Sequence, residues 1–426
     1  MPLSRREFLL RSGLGVTAGA IAGAAAWPRG APAADVETPP DLNDWEAVRN
    51  EFDLSRDWIH LAGLLLASHP RPVREAIERH RRGLDDNPPH YLYGGYSSRE
   101  GEVRQAAARY LGARPAEIAL TDSTTMGLGL VYNGLALRPG QEILTTEHDH
   151  RATHESLRFK AERSGASLRR IPLYRRLEEV TEEEIVETLS RAVQPRTRVV
   201  AVTWVHSSTG LKLPIGRIAQ ALERVNAGRA QNDRVIFCVD GVHAFGVEDG
   251  TVSDLGCDFL MAGTHKWLFG PRGTGIVWGN PRAQAAVAPT IPSFTRDGSW
   301  GGEMTPGGFH SFEHRWALKE AFEFHQRLGK ARVAARIHEL NRQLKEGLAG
   351  MPNVKLHTPM PESLSAGLVC FDVRGMSPGQ VVQRLRQQGI IGSTTPYATS
   401  YARLTPGLLN SPEEIDAALR AVRALA

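Results

Sequence analysis

From about residue 100 the chain alternates short runs rich in β-branched and aliphatic residues with segments of helical period, and this alternation limits its fold more than any other feature. The β-type runs occupy 117–121, 142–146, 168–173, 198–204, 234–239 and 258–262, with amphipathic segments such as 179–193 and 215–226 between them. Strands separated by helices are joined by crossovers, so the expected architecture is α/β: a doubly wound domain with a mostly parallel sheet. Ligands bind such sheets at the carboxyl ends of the strands, and several of these runs end in a polar residue.

A Gly/Pro/Ser/Thr-rich connection follows residue 285. After it come a helical pattern from about 313 to 350, β-type runs at 367–373 and 402–404, and a last helix near 412–424. Ser411-Pro412-Glu413-Glu414 fixes that last start, as a capping box with proline at the first helical position. The expected organisation is a large domain over 96–290 and a smaller α+β domain over 291–426. Residues 34–95 show little regular period and are expected to pack on the small domain.

The first 33 residues read as an address. Ser4-Arg5-Arg6-Glu7-Phe8-Leu9-Leu10 is a twin-arginine pattern, a Gly/Ala-rich apolar run covers 12–27, and Ala31-Pro32-Ala33 is a small-x-small cleavage site. That order predicts a removable signal, passage through the twin-arginine export machinery and a periplasmic location in a Gram-negative cell. The apolar run is short of the roughly 20 residues that span a bilayer, so no stable membrane anchor is expected. Removing 1–33 takes away four Arg and one Glu, which brings the formal charge from +4 to +1. A nearly neutral chain gives no electrostatic reason to expect nucleic acid as a partner. Three scattered cysteines, Cys238, Cys257 and Cys370, are too few for a disulfide framework or a thiolate metal site.

Chemistry concentrates in GTHKWLFGPRGTG, residues 263–275. Only seven of the 51 basic residues are Lys, so Lys266 asks for a reason specific to an amine. A lysine that loses its proton on burial can attack a carbonyl and form a Schiff base, which a guanidinium cannot do. Asp240, in Val239-Asp240-Gly241-Val242-His243, stands where an apolar strand ends, and the next strand leads to Lys266. An acid and an amine at neighbouring strand ends suit pyridoxal 5'-phosphate, whose aldehyde takes the amine and whose ring nitrogen the acid keeps protonated. Thr121-Asp122-Ser123-Thr124-Thr125 precedes a helical segment and offers hydroxyls and free N–H groups to a phosphate, although a simple helix cap reads equally well there.

Taken in order, these motifs resemble the class V aminotransferase fold of pyridoxal-phosphate enzymes (fold type I), which includes isopenicillin N epimerases and cysteine desulfurases; HKWLFGPRGTG is most similar to the epimerase-type branch. The resemblance covers roughly 55–425. It implies Lys266 as the Schiff-base lysine and Asp240 at the ring nitrogen, with His243 at the phenolic oxygen. It places Ser123, Thr124, Thr125 and His265 at the phosphate and His150 over the ring, and puts Arg403 on the substrate's α-carboxylate. It also implies a homodimer and an amino-acid-type substrate. Two departures stand out. The loop 392–400 lacks the desulfurase cysteine, and the usual Gly-Thr near 309–315 is missing. With the export signal, the second departure is similar to a periplasmic branch that modifies a glutamyl group on pyoverdine-type siderophore precursors, which would make this a siderophore biosynthesis enzyme.

The expected function is therefore an exported enzyme that transforms the amino group or Cα of an amino acid or an amino-acid-bearing precursor. Transamination, epimerisation, decarboxylation and β-elimination, including C–S lysis, stay open. A rival reading takes His148, His150 and His154 as the ligands of a zinc hydrolase. The turn 270–275 has the wrong glycine spacing for a dinucleotide loop.

Overall fold

The computed structural model describes residues 41–295 and 297–425; the export signal and its cleavage site lie outside them. Seven strands form the main sheet: β1 (Ile118–Thr121), β2 (Glu142–Thr146), β3 (Ser167–Ile171), β4 (Thr197–Thr203), β5 (Ile236–Asp240), β6 (Phe259–Gly263) and β7 (Gly275–Gly279). Their spatial order is β1-β7-β6-β5-β4-β2-β3. All neighbours are parallel except β7, which runs against both β1 and β6. The central strands are buried along their whole length, so they read as unbroken apolar runs. The edge strand β3, Ser-Leu-Arg-Arg-Ile, is partly exposed and carries charge, which discourages pairing with another chain.

Side chains alternate across this sheet with period two. Val200, Val202, Phe237, Val239, Leu260 and Ala262 enter one core layer, with Ile218 and Leu222 of the helix Ile215–Asn226. Val199, Ala201, Ile236, Cys238, Phe259 and Met261 enter the other, with Leu128 and Leu157 of the helices Thr124–Gly134 and Arg151–Ser164. Helices thus cover both faces, as the sequence alternation requires.

The C-terminal part forms a second, antiparallel sheet from β8 (Val354–Leu356), β9 (Val369–Val373), β10 (Ser393–Thr394) and β11 (Ala402–Leu404), in the order β10-β11-β9-β8. Its core joins Val369, Phe371 and Leu404 to Leu340, Leu344 and Leu348. The expected 313–350 helix is two helices, Phe312–Leu328 and Lys330–Ala349, divided at Gly329. Gly329 sits at φ +81°, a conformation that L side chains avoid and that ends a helix.

Residues 41–95 are more regular than their sequence suggested. Ile59–His60 pairs in parallel with Ile390–Ile391, and Arg71–Asp86 is a 16-residue helix lying along Phe312–Leu328. Its buried stripe is narrow, Val73 and Ala76 with Ile77 packed beside them, and five arginines and four acids hide the period.

Candidate active site

The carboxyl edge of the main sheet opens into a cavity of about 260 Å³. Lys266, Asp240, Ser123, Thr124, Thr125, His150, His243, His265 and Arg403 all line it, so the structure brings together every residue named for the pyridoxal-phosphate site, whereas His154 of the rival zinc reading does not line it.

Asp240 is the last residue of β5 and is almost wholly buried. Its Oδ1 accepts the Val242 N–H at 3.1 Å and its Oδ2 the Thr153 hydroxyl at 3.4 Å. Burial pushes its pKa up to about 6, against the Val242 N–H and the Lys266 charge, which pull it down. Lys266 leaves β6 in a tight loop closed by Gly270 N–H to Thr264 O at 2.8 Å and Phe269 N–H to Lys266 O at 3.1 Å. Phe269 there holds φ +59°, the only non-glycine positive φ among the described residues, and strain of this kind persists only where the surroundings enforce it. Burial lowers the Lys266 pKa to about 8, with Asp240 opposing and Arg403 reinforcing the shift.

At the other end of the cavity the helix Thr124–Gly134 begins. Ser123 Oγ caps it by accepting the Met126 N–H at 3.1 Å, and Thr124 Oγ1 accepts the Gly263 N–H at 2.7 Å. Each hydroxyl therefore keeps its own proton free to donate. A Cβ at Gly263 would stand 2.9 Å from Thr124 Oγ1, so the helix start approaches β6 this closely only because residue 263 is glycine. The helix N-terminus adds unpaired N–H groups and a partial positive charge, which together favour an anion.

Three imidazoles face the space between these ends. His150 Nδ1 accepts the Ala152 N–H at 3.1 Å, and its ring meets Tyr397 edge-on at 6.2 Å. His243 and His265 each leave Nδ1 buried without a partner. Burial, reinforced by the Lys266 charge, lowers all three pKa values, so the rings are neutral at pH 7.

Arg403 reaches in from β11. It is 2% exposed and bonds only neutral oxygens: Ser393 Oγ at 3.1 Å, Ser207 O at 2.7 Å and Thr394 O at 3.4 Å. No carboxylate pairs with it among the described residues. A buried guanidinium left in that state is costly unless an anionic ligand completes it.

Pyridoxal phosphate fits this donor set. The hydroxyl and N–H cradle suits its phosphate, buried Asp240 suits its ring nitrogen, the partnerless His243 suits a ring oxygen, and the amine of Lys266 suits its aldehyde. The zinc reading fails on the same geometry. His154 Nε2 is engaged with the Thr146 carbonyl at 2.8 Å, which accepts its proton, His148 Nε2 accepts the Leu173 N–H at 3.3 Å, and His150 Nδ1 caps a helix. No cluster of three or more His, Cys, Asp or Glu able to hold a metal occurs among the described residues.

Other residues of the site escape a reading of the sequence. Asp149 is buried and takes four hydrogen bonds, from Thr145 Oγ1, Thr146 N, Thr146 Oγ1 and Thr203 N, which lock the ends of β2 and β4 beneath His150. His206 lies 4.0 Å from Asp149, but burial lowers its pKa to about 4 and keeps it neutral. Tyr397 lines the cavity with its hydroxyl 2.6 Å from Ser207 Oγ. The one available signal was the polar ending of β4, Thr203.

A model of the class-V aminotransferase family matches residues 95–400. The chain is 28% identical to an isopenicillin N epimerase of Streptomyces clavuligerus, over 90% of this chain and 98% of the relative. It is 25% identical to a probable cysteine desulfurase of Vibrio cholerae, over 85% and 92%. Among solved structures, a C-DES mutant with glycine covalently linked to its PLP cofactor superposes with a TM-score of 0.80 at 24% identity, over 88% of this chain and 98% of that one. The apo cysteine desulfurase of Thermococcus onnurineus superposes with a TM-score of 0.76 at 23% identity, over 89% and 97%. These two likenesses show the fold, and the match over 95–400 shows the family: the chain belongs to the class-V aminotransferase family of pyridoxal-phosphate-dependent enzymes.

Proposed function

We propose that the enzyme transforms the amino group or Cα of an amino acid, or of a precursor that carries one. The observation that carries this reading is Arg403: a buried fork without an anionic partner, in the same cavity as a lysine whose amine is easily deprotonated. A planar guanidinium is the group suited to grip an α-carboxylate in two parallel hydrogen bonds.

Bound in the cavity, the coenzyme supplies an aldehyde for an amine and an electron-accepting ring for charge that develops at Cα. Ser123, Thr124, Thr125 and His265 would hold its phosphate, His150 would cover the ring, His243 would face its phenolic oxygen and Asp240 would keep a proton at the ring nitrogen. Arg403 fixes the substrate's carboxylate and thereby orients the bonds at Cα. Lys266, neutral above about pH 8 and partly so at pH 7, takes or returns the proton at Cα.

Persulfide chemistry on a protein thiol is disfavoured. Cys238, Cys257 and Cys370 are all fully buried, none lines the cavity, and the loop 392–400 has no cysteine. Racemisation of a free amino acid, release of a keto acid, loss of carbon dioxide and elimination from Cβ are distinguished by incubating the holoenzyme with an amino-acid panel that includes glutamate and a siderophore-borne glutamyl peptide. If no α-amino acid alters the visible spectrum, the proposal fails.

Export to the periplasm and dimerisation belong to the same proposal. Twin-arginine export rests on Arg5 and Arg6 and is tested by fractionating cells that carry Arg5→Lys with Arg6→Lys. Exposed Phe309 and Phe294, in edge contact at 6.3 Å, offer a surface for a second copy, which sedimentation tests. No helix among the described residues is long and apolar enough to cross a membrane.

A further inference from the structure

A second cavity, of about 270 Å³, adjoins the first. Lys266 and Leu65 line both. Its walls come from the segment 54–68, the loop that follows Lys266, and residues 405–410, and they are largely apolar: Ala62, Leu65, Leu66, Phe269, Leu408 and Leu409.

Three of its polar side chains are already satisfied within the protein, while the Nε1–H of Trp267 is buried without a partner. Thr405 Oγ1 donates to Leu61 O at 3.0 Å, Asn410 Nδ2 donates to His60 O and Glu414 Oε2 at 3.1 Å each, Asn410 Oδ1 accepts the Gly407 N–H at 3.0 Å, and His60 Nε2 is bonded to Ser55 O at 3.1 Å. A charged substituent entering there would give up its water for a single neutral donor, the Trp267 N–H, whereas an apolar one would lose nothing. The contrast with the catalytic cavity is chemical. One holds unpaired donors for anions, and the other offers hydrocarbon walls on the far side of the same lysine.

We propose that this second cavity receives the apolar side chain of the substrate, so that the enzyme selects amino acids with extended hydrophobic side chains over small or charged ones. The inference rests on the proposed function, because Arg403 and Lys266 must hold the carboxylate and the amino group for a side chain to reach past Lys266. Gly63 is the control point. It lines the second cavity and not the first, and a Cβ built there meets nothing within 4 Å, so a side chain can start there without a clash at its first atom.

The test titrates holoenzyme with L-alanine, L-norleucine and L-glutamate and reads the visible spectrum, with circular dichroism confirming the fold of each variant. Each buried methylene contributes enough for norleucine, with three more than alanine, to bind on the order of 10- to 50-fold tighter than alanine. Gly63→Leu should abolish that preference and leave alanine within about twofold of the parent, and Gly63→Ala should fall between them. Alanine binding with no preference for norleucine would overturn the inference alone; a second copy occupying the cavity would give that result. A preference that survives Gly63→Leu would also overturn it. If no amino acid perturbs the spectrum, the proposed function falls and this inference falls with it.

Discussion

The two edges of the main sheet treat charge in opposite ways. At the amino edge, charges are paired off. Glu142, fully buried, is bonded by Arg169 at 2.8 Å and by Thr197 Oγ1 at 2.6 Å; Arg282 meets Asp258 at 2.7 Å; Arg234 meets Glu223 at 3.0 Å. Arg198 departs from this pattern, with its Nη1 buried and partnerless. At the carboxyl edge, His243, His265 and Thr203 keep polar atoms that nothing among the described residues satisfies, and Arg403 reaches in bonded only to neutral oxygens. One edge closes its bonding within the protein, and the other stays open for a ligand. Stability and activity should therefore separate when each edge is mutated.

The largest effect belongs to Lys266→Ala. Turnover should fall by about 10³-fold or more and the visible band of the bound cofactor should vanish, while the far-ultraviolet spectrum is unchanged. Arg403→Met should lower kcat/KM by about 10²- to 10³-fold, because it removes a charge-assisted fork from a buried site. A matched amine without a carboxylate should lose little, and an equal loss for both compounds would break the assignment. Asp240→Asn should leave cofactor binding largely intact and reduce turnover, since an amide cannot hold a proton at the ring nitrogen. At the opposite edge, Glu142→Gln should preserve kcat and cost about 3 kcal/mol in urea unfolding, by uncoupling a buried pair. Burial raises the Glu142 pKa, but the Arg169 and Thr197 bonds and both arginine charges lower it further. Its contribution is therefore complete above the ordinary carboxylate pKa and is lost as the pH falls through its own lower value.

The smallest effect is a matter of pH. The Lys266 pKa is depressed to about 8, so its amine becomes reactive as the pH rises through that value. Cofactor-free enzyme should capture pyridoxal phosphate faster with increasing pH, with a midpoint near 8 in stopped-flow absorbance. A midpoint near 10 would mean that the lysine is not desolvated.

Much of this arrangement was legible in the sequence, and the reasons are local. Strand 142–146, helix 215–226 and strand 402–404 have the expected bounds because apolar periodicity ends sharply at each. The division at Gly329 was hidden because both halves share one helical period and only a backbone angle separates them. Helix 71–86 was hidden by its charge. In the site, Lys266 and Asp240 stood out by chemical type at neighbouring strand ends, whereas Arg403 was placed by the family resemblance alone. Asp149 and Ser207 were not legible, because their roles are purely tertiary: Ser207 supplies a carbonyl to an arginine 196 residues away.

Arg403 belongs to the small sheet and Lys266 to the loop leaving the large one. A ligand held by both acts as a staple between distant parts of the chain, and its binding energy adds to the cohesion of the whole fold. Occupancy should therefore govern how long the protein survives attack by proteases, and the empty enzyme should be the short-lived form.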